Sequence, residues 1–210
     1  MKSWKLMACV LALAAASTAA FAQSSYSPFS LGVGAQYWDA KDVDKLDEDG
    51  FLGGNLIFRV RPAELLGIDL RVGSSGVWKG KSYRENGVKY ETDTTFYCVP
   101  VELGLVLMLP VNDVITLYGG PGVGYYYYEI DVETTSKHHH HYHREWHDDY
   151  ELEDDFGWYA VAGVNLQLAP HFSIFGEGRY TDTETNLKHV KADPFDCSGW
   201  GVQAGVMIDF

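Results

Sequence analysis

The amino-acid sequence predicts an all-β fold: an eight-stranded antiparallel up-and-down transmembrane β-barrel. Three observations carry that expectation. Segments of alternating apolar and polar residues recur along the chain, the connectors between them alternate short and long, and the chain opens on an export signal.

The export signal comes first. Lys2 and Lys5 supply a positive start, Leu6 to Ala16 an apolar stretch, and Ala20-Phe21-Ala22 a small-x-small cleavage pattern. The apolar run is too short to span a bilayer as a helix. Residues 1–22 are therefore expected to be a signal peptide, and residues 23–210 one barrel domain. Cys9 precedes most of the apolar stretch instead of closing it, so a lipid anchor there is not expected. The formal net charge of −13 becomes −15 once Lys2 and Lys5 are removed, which argues against nucleic acid as a partner. No later segment has a long uninterrupted apolar run, so a membrane crossing must be made by strands.

Eight segments alternate with the period of a strand. In 29–38, Phe29, Leu31, Val33, Ala35 and Tyr37 share one face. In 51–61, Leu52, Leu56, Phe58 and Val60 oppose Asn55, Arg59 and Arg61, and in 66–78, Ile68, Leu70 and Val72 oppose Asp69 and Arg71. An unbroken apolar row from Tyr97 to Leu109 marks 94–109, with Glu102 and Gly104 opposite. Next come 114–130, with Ile115, Leu117, Val123, Tyr125 and Tyr127, and 157–168, with Trp158 to Leu168 against Asn165 and Gln167. The seventh, 172–181, sets Phe172, Ile174 and Tyr180 against Glu177 and Arg179. The last runs from Trp200 to the terminal aromatic Phe210, apolar on every second residue. One face suits lipid and the other a narrow lumen.

Connector lengths separate the two ends. The turns at 61–65, 110–113 and 169–171 are tight and carry Pro or Asn/Asp chemistry, whereas 39–50, 79–93, 131–156 and 182–197 are long and polar. Short turns on the periplasmic side and long loops outside are the outer-membrane pattern. Aromatics gather towards the long-loop ends (Tyr37, Trp38, Trp78, Tyr97, Tyr125 to Tyr128, Trp158, Tyr180 and Trp200), with Phe29, Phe172 and Phe210 at the opposite ends. Two girdles of rings at the head-group levels are the expectation.

An eight-stranded barrel is only wide enough for side chains to fill it. The inward set contains Arg59, Asp69, Arg71, Glu102, Glu177 and Arg179, which should pair as a charge network and plug the lumen. No nucleophile, base and orienting group can be read from spacing, so no enzyme is expected.

The third long connector holds the most unusual chemistry. His138, His139, His140, His141, His143 and His147 put six imidazoles within ten residues, and six carboxylates follow between Asp148 and Asp155. Such a tract suits Zn, Cu or Ni, without the spacing that would enforce one geometry. No cofactor is required otherwise. The first connector, with Asp39, Asp42, Asp44, Asp47, Glu48 and Asp49, lacks the terminal bidentate Glu of a calcium loop and is read as a solvated acidic loop. Cys98 and Cys197 remain after processing and form a candidate disulfide, open at this point because a bridge needs the fourth connector to dip across the barrel mouth.

The signal peptide, the eight segments, the connector asymmetry and terminal Phe210 together resemble the small OmpA-type outer-membrane barrels, including the opacity-like porin-family proteins. The resemblance implies residence in the bacterial outer membrane. It also implies contact with outer-membrane lipid and lipopolysaccharide, and recognition of the last strand by the barrel-assembly machinery. No peptidoglycan-binding domain is seen, so cell-wall anchoring is not carried over, and the His tract has no general family counterpart. The expected role is non-enzymatic, structural or in contact with a host or other surface ligand, with metal bound through 138–147. The alternative is a narrow porin or transporter for small solutes.

Overall fold

The computed structural model describes residues 27–43, 50–85, 88–137, 143–151, 153–186 and 194–210, with the main chain alone for 81, 83–85, 88–92, 132–137 and 143–151. The expected signal peptide, 1–22, lies outside them.

Among the described residues eleven strands follow one another: β1 (Phe29–Ala40), β2 (Phe51–Ala63), β3 (Leu66–Glu85), β4 (Val88–Pro110), β5 (Ile115–Lys137), β6 (His143–Glu151), β7 (Asp155–Ala169), β8 (Phe172–Asp182), β9 (Glu184–Thr185), β10 (Phe195–Asp196) and β11 (Gly199–Asp209). Each wall strand pairs antiparallel with its neighbours in the order β4-β3-β2-β1-β11-β8-β7-β5, and β4 pairs with β5 to close the ring. The result is the expected eight-stranded up-and-down barrel. Its seam runs from Ser30 opposite Asp209 to Ala40 opposite Gly199, and Phe210 N–H donates to the Phe29 carbonyl at 2.9 Å.

The alternation faces as the pattern demands. Leu31, Val33, Leu52, Leu56, Leu103, Leu105, Leu107 and Val202 are exposed on the outside, a surface that suits hydrocarbon rather than water. Rings flank that belt. Trp158, Tyr180 and Trp200 form a ladder across β7, β8 and β11, with centroids 5.7 and 5.2 Å apart, while Phe29 stacks on Phe58 at the opposite end. Tight turns close the end bearing Phe29. In one of them the Asn112 side-chain oxygen accepts from the backbone N–H groups of Val114 and Ile115 at 2.9 and 2.8 Å, which fixes the reversal.

Two expectations need correction. The connectors 79–93 and 131–156 are largely strand. β3 and β4 pair without a break in register out to Glu85 opposite Val88, and β5 continues to Lys137, opposite His143 of β6. Backbone pairing persists here because Thr, Val and Tyr favour extended structure even where apolar alternation has stopped. The product is a four-stranded sheet, β3-β4-β5-β6, rising beyond the belt.

The second correction concerns the girdle. Trp38, Tyr126 and Tyr128 point into the barrel and are buried, whereas Tyr125 and Tyr127 point out. Successive residues of a strand cannot share a face.

Candidate functional site

The lumen is a filled core in layers. On β2, β8 and β11, Ile57, Phe175 and Met207 pack together. A polar layer adjoins them, in which Asn55 Nδ2 donates to Gln203 Oε1 at 2.8 Å and Gln203 Nε2 donates back to Asn55 Oδ1 at 2.6 Å.

The ionic layer lies on β2, β3, β4 and β8. Arg59 grips Asp69 with two hydrogen bonds, Nε to Oδ1 at 2.6 Å and Nη2 to Oδ2 at 2.8 Å; the two residues are cross-strand partners in the β2–β3 hairpin. Arg71 reaches the same Asp69 at 2.9 Å and forks onto Glu177 of β8. The Tyr118 hydroxyl donates to Glu177 at 2.7 Å. Arg179 pairs with Glu102, which also accepts from the Tyr126 hydroxyl at 2.9 Å. All six expected lumen charges are thus buried, and three cations balance three anions. A fork of two parallel hydrogen bonds is the strong form of an Arg–carboxylate contact. Rings cover the guanidinium faces, with Arg59 4.7 Å from the Tyr118 centroid and Arg179 4.8 Å from that of Tyr159.

Tyr159 was not singled out in the sequence, yet it crosses the centre of the lumen. Its ring fits only because Gly104 and Gly122 face it: a Cβ on either would lie 2.3 Å from a Tyr159 atom. Glycines at every second residue of β5 (Gly120, Gly122, Gly124) were the available signal.

Above the ions sits an apolar layer that the expected plug of salt bridges did not include. Trp38, Phe51, Val77, Phe96, Cys98, Tyr126, Tyr128 and Cys197 form one buried cluster. Between it and the Glu102–Arg179 pair remains a cavity of 10 Å³, lined by Gln36, Trp38, Pro100, Glu102, Tyr126 and Arg179. That volume holds no more than about one water.

The fourth connector covers this layer. β9 pairs with β10, Cys197 N–H donates to the Thr183 carbonyl at 3.0 Å, and Phe195 packs on Phe96 with centroids 5.6 Å apart. Cys98 and Cys197 are both buried and both free thiols. The start of the first connector is tied to the same lid, Asp42 N–H to the Asp196 carbonyl at 3.1 Å and Lys41 Nζ to Asp196 Oδ2 at 2.9 Å. Burial opposes ionisation of Asp196, but hydrogen bonds from Ser198 and Lys41 outweigh it and hold the carboxyl below the usual carboxylate range.

On the projecting sheet, register alone places the expected metal residues. His147 of β6 stands opposite Glu133 of β5, which stands opposite Asp93 of β4, one row across three strands. His143 stands opposite Lys137. His138 to His141 lie outside the described residues, as do residues 44–49 of the acidic first connector. Among the described residues, no group of three or more His, Cys, Asp or Glu is placed to hold a metal ion.

A family model described as outer membrane protein beta-barrel domain matches residues 8–210. The chain belongs to that family. Its membrane is accordingly the bacterial outer membrane, and its fold is that of other members. Neisserial surface protein A is similar in structure, with a TM-score of 0.58 at 13% identity over 89% of this chain and 100% of that one. A major outer membrane protein of Thermus thermophilus gives 0.47 at 13% identity, covering 89% and 100%. Ail, the attachment invasion locus protein of Yersinia pestis, gives 0.43 at 17% identity, covering 90% and 100%. No curated protein sequence matches the chain. For this family member the barrel is shared ground, and the fold alone does not assign a function.

Proposed function

We propose that the protein is a non-enzymatic surface protein whose sealed barrel anchors and displays the β3–β6 sheet, and that its His tract at 138–147 binds Zn, Cu or Ni. The observation that carries the reading is the filled lumen: among the described residues its inward ionic, amide and aromatic side chains are buried, and the cavity beside the Glu102–Arg179 pair measures 10 Å³. A solute path needs a continuous polar channel, so chemistry is left to the outside. There the row Asp93–Glu133–His147 sets two carboxylate residues and one imidazole residue on the sheet whose β5–β6 connection carries the further histidines in sequence. Neutral imidazole and carboxylate are the ligand types that these metals accept.

Two measurements test this. In a planar bilayer the protein is expected to give no conductance steps; stable unitary steps would instead favour a narrow porin or transporter. Calorimetric titration of the detergent-solubilised protein with zinc and nickel is expected to give submicromolar, stoichiometric binding. That binding should disappear when His138–His141, His143 and His147 are replaced together. Weak or non-stoichiometric heats would return the tract to an ordinary solvated loop.

A further inference from the structure

A buried pair of thiols above the lumen has no part in that reading. Cys98 stands on β4 directly opposite Tyr128 of β5. Cys197 follows β10 and hangs from Thr183, whose side-chain oxygen is 3.0 Å from the Tyr128 hydroxyl. The Tyr128 hydroxyl is a hydrogen-bonding neighbour of both thiols. Both side chains are fully buried within one cluster. Although β4 and β11 are far apart around the wall, the lid carries Cys197 inward across the mouth into the buried cluster that holds Cys98. The fourth connector thus dips across the mouth, as a bridge between the two cysteines requires.

We propose that Cys98 and Cys197 pair as an intramolecular disulfide in the exported protein, fastening the lid formed by the fourth connector to the barrel wall. The free thiols of this structure are its reduced form. The compartment beyond the inner membrane is oxidising, so two cysteines brought together there are kept as a disulfide. The oxidant is a disulfide of the thiol–disulfide oxidoreductase class. One cysteine thiolate attacks that disulfide, giving a mixed disulfide and releasing one thiolate of the oxidant. The second cysteine then attacks the mixed disulfide, forming the Cys98–Cys197 bond and expelling the other. The oxidant leaves as a dithiol, carrying the two electrons and the two protons that the cysteines lose. Since neither sulfur is accessible in the closed barrel, the exchange belongs to the stage before the lid has packed.

Thiol counting in cells tests the pairing. The full chain in a Cys9→Ser background is quenched with acid in intact cells, denatured, and treated with a high-mass maleimide. Without reductant no label is expected, and after reduction two labels. Two labels without reductant, or one, would overturn the proposal, as would a disulfide-linked dimer of the parent chain. Single C98S and C197S variants are each expected to carry one label without reductant. The fastening has its own readout, cleavage by a glutamate-specific protease after Glu184, which pairs with Asp196 in the lid of the detergent-solubilised protein. Reduction should speed it about tenfold, as expected when a locally closed segment is freed to open. An unchanged rate would show that the bond does not hold the lid.

Discussion

Arg71→Ala is expected to destabilise the barrel by about 3–5 kcal/mol, the range for breaking a buried ion pair from one side. Arg71 is the only arginine that touches both Asp69 and Glu177 among the described residues, and so links the β2–β3 hairpin to β8 across the lumen. Without it Glu177 keeps a neutral Tyr118 hydroxyl as partner, and the balance of three cations against three anions is lost. Arg71→Lys retains the charge but not the fork, and should fall between the wild type and the alanine variant. The double variant Arg71→Met, Glu177→Leu should recover most of the loss, because it removes both charges instead of stranding one. Urea unfolding of the protein folded into lipid vesicles measures all four. A loss below about 1 kcal/mol for Arg71→Ala would mean that water, not Arg71, solvates Glu177.

Gly120→Val is expected to prevent the wall from closing, at a cost on the order of 3 kcal/mol or more. A Cβ at this position would lie 1.9 Å from the Leu105 carbonyl oxygen and 3.0 Å from its carbon. Both atoms are backbone of the neighbouring strand, which cannot swing aside as a side chain can. The next residue, Pro121, has no N–H to offer the ladder, and the β4–β5 pairing accordingly skips Leu105 and Val106. The two strands approach closely where they are least hydrogen-bonded. Gly176→Ala is the matched control, since nothing lies within 4 Å of the added carbon. It should change stability by no more than about 0.5 kcal/mol. The heat-resistant compact band on a denaturing gel reports both, and a normal amount of that band for Gly120→Val would refute the argument.

The wall of the barrel was legible because lipid on one side and a narrow lumen on the other impose alternation on every membrane residue. Outside the belt both faces meet water, the alternation stops, and the sequence reads as loop. The β3–β4 pairing out to Glu85 and Val88 was therefore missed, although Asn86-Gly87 is the dipeptide of a tight hairpin. Charges in the lumen were legible one by one, since each is polar at an inward position. Their partners were only half legible. Arg59 and Asp69 oppose each other within a hairpin and follow from register, whereas Arg71 and Glu177 are 106 residues apart and meet only through the curvature of the closed ring. The inward Phe51 and Phe96 were passed over, and Trp38 was assigned to the girdle, because a lumen was expected to be polar; a lumen this narrow behaves as a protein interior, and rings fill it as they fill any core.

The seam between β1 and β11 has a kinetic consequence. Ser30 and Asp209, which hydrogen-bond across it, stand 179 residues apart. No ladder between those strands can form until the six strands between them have been laid side by side. A half-built wall would expose two open edges and an uncovered set of lumen charges to hydrocarbon, where unpaired backbone groups are costly. Partial assemblies are therefore poor resting states in the bilayer. Insertion and ring closure should proceed as one cooperative event, with the seam as its last step.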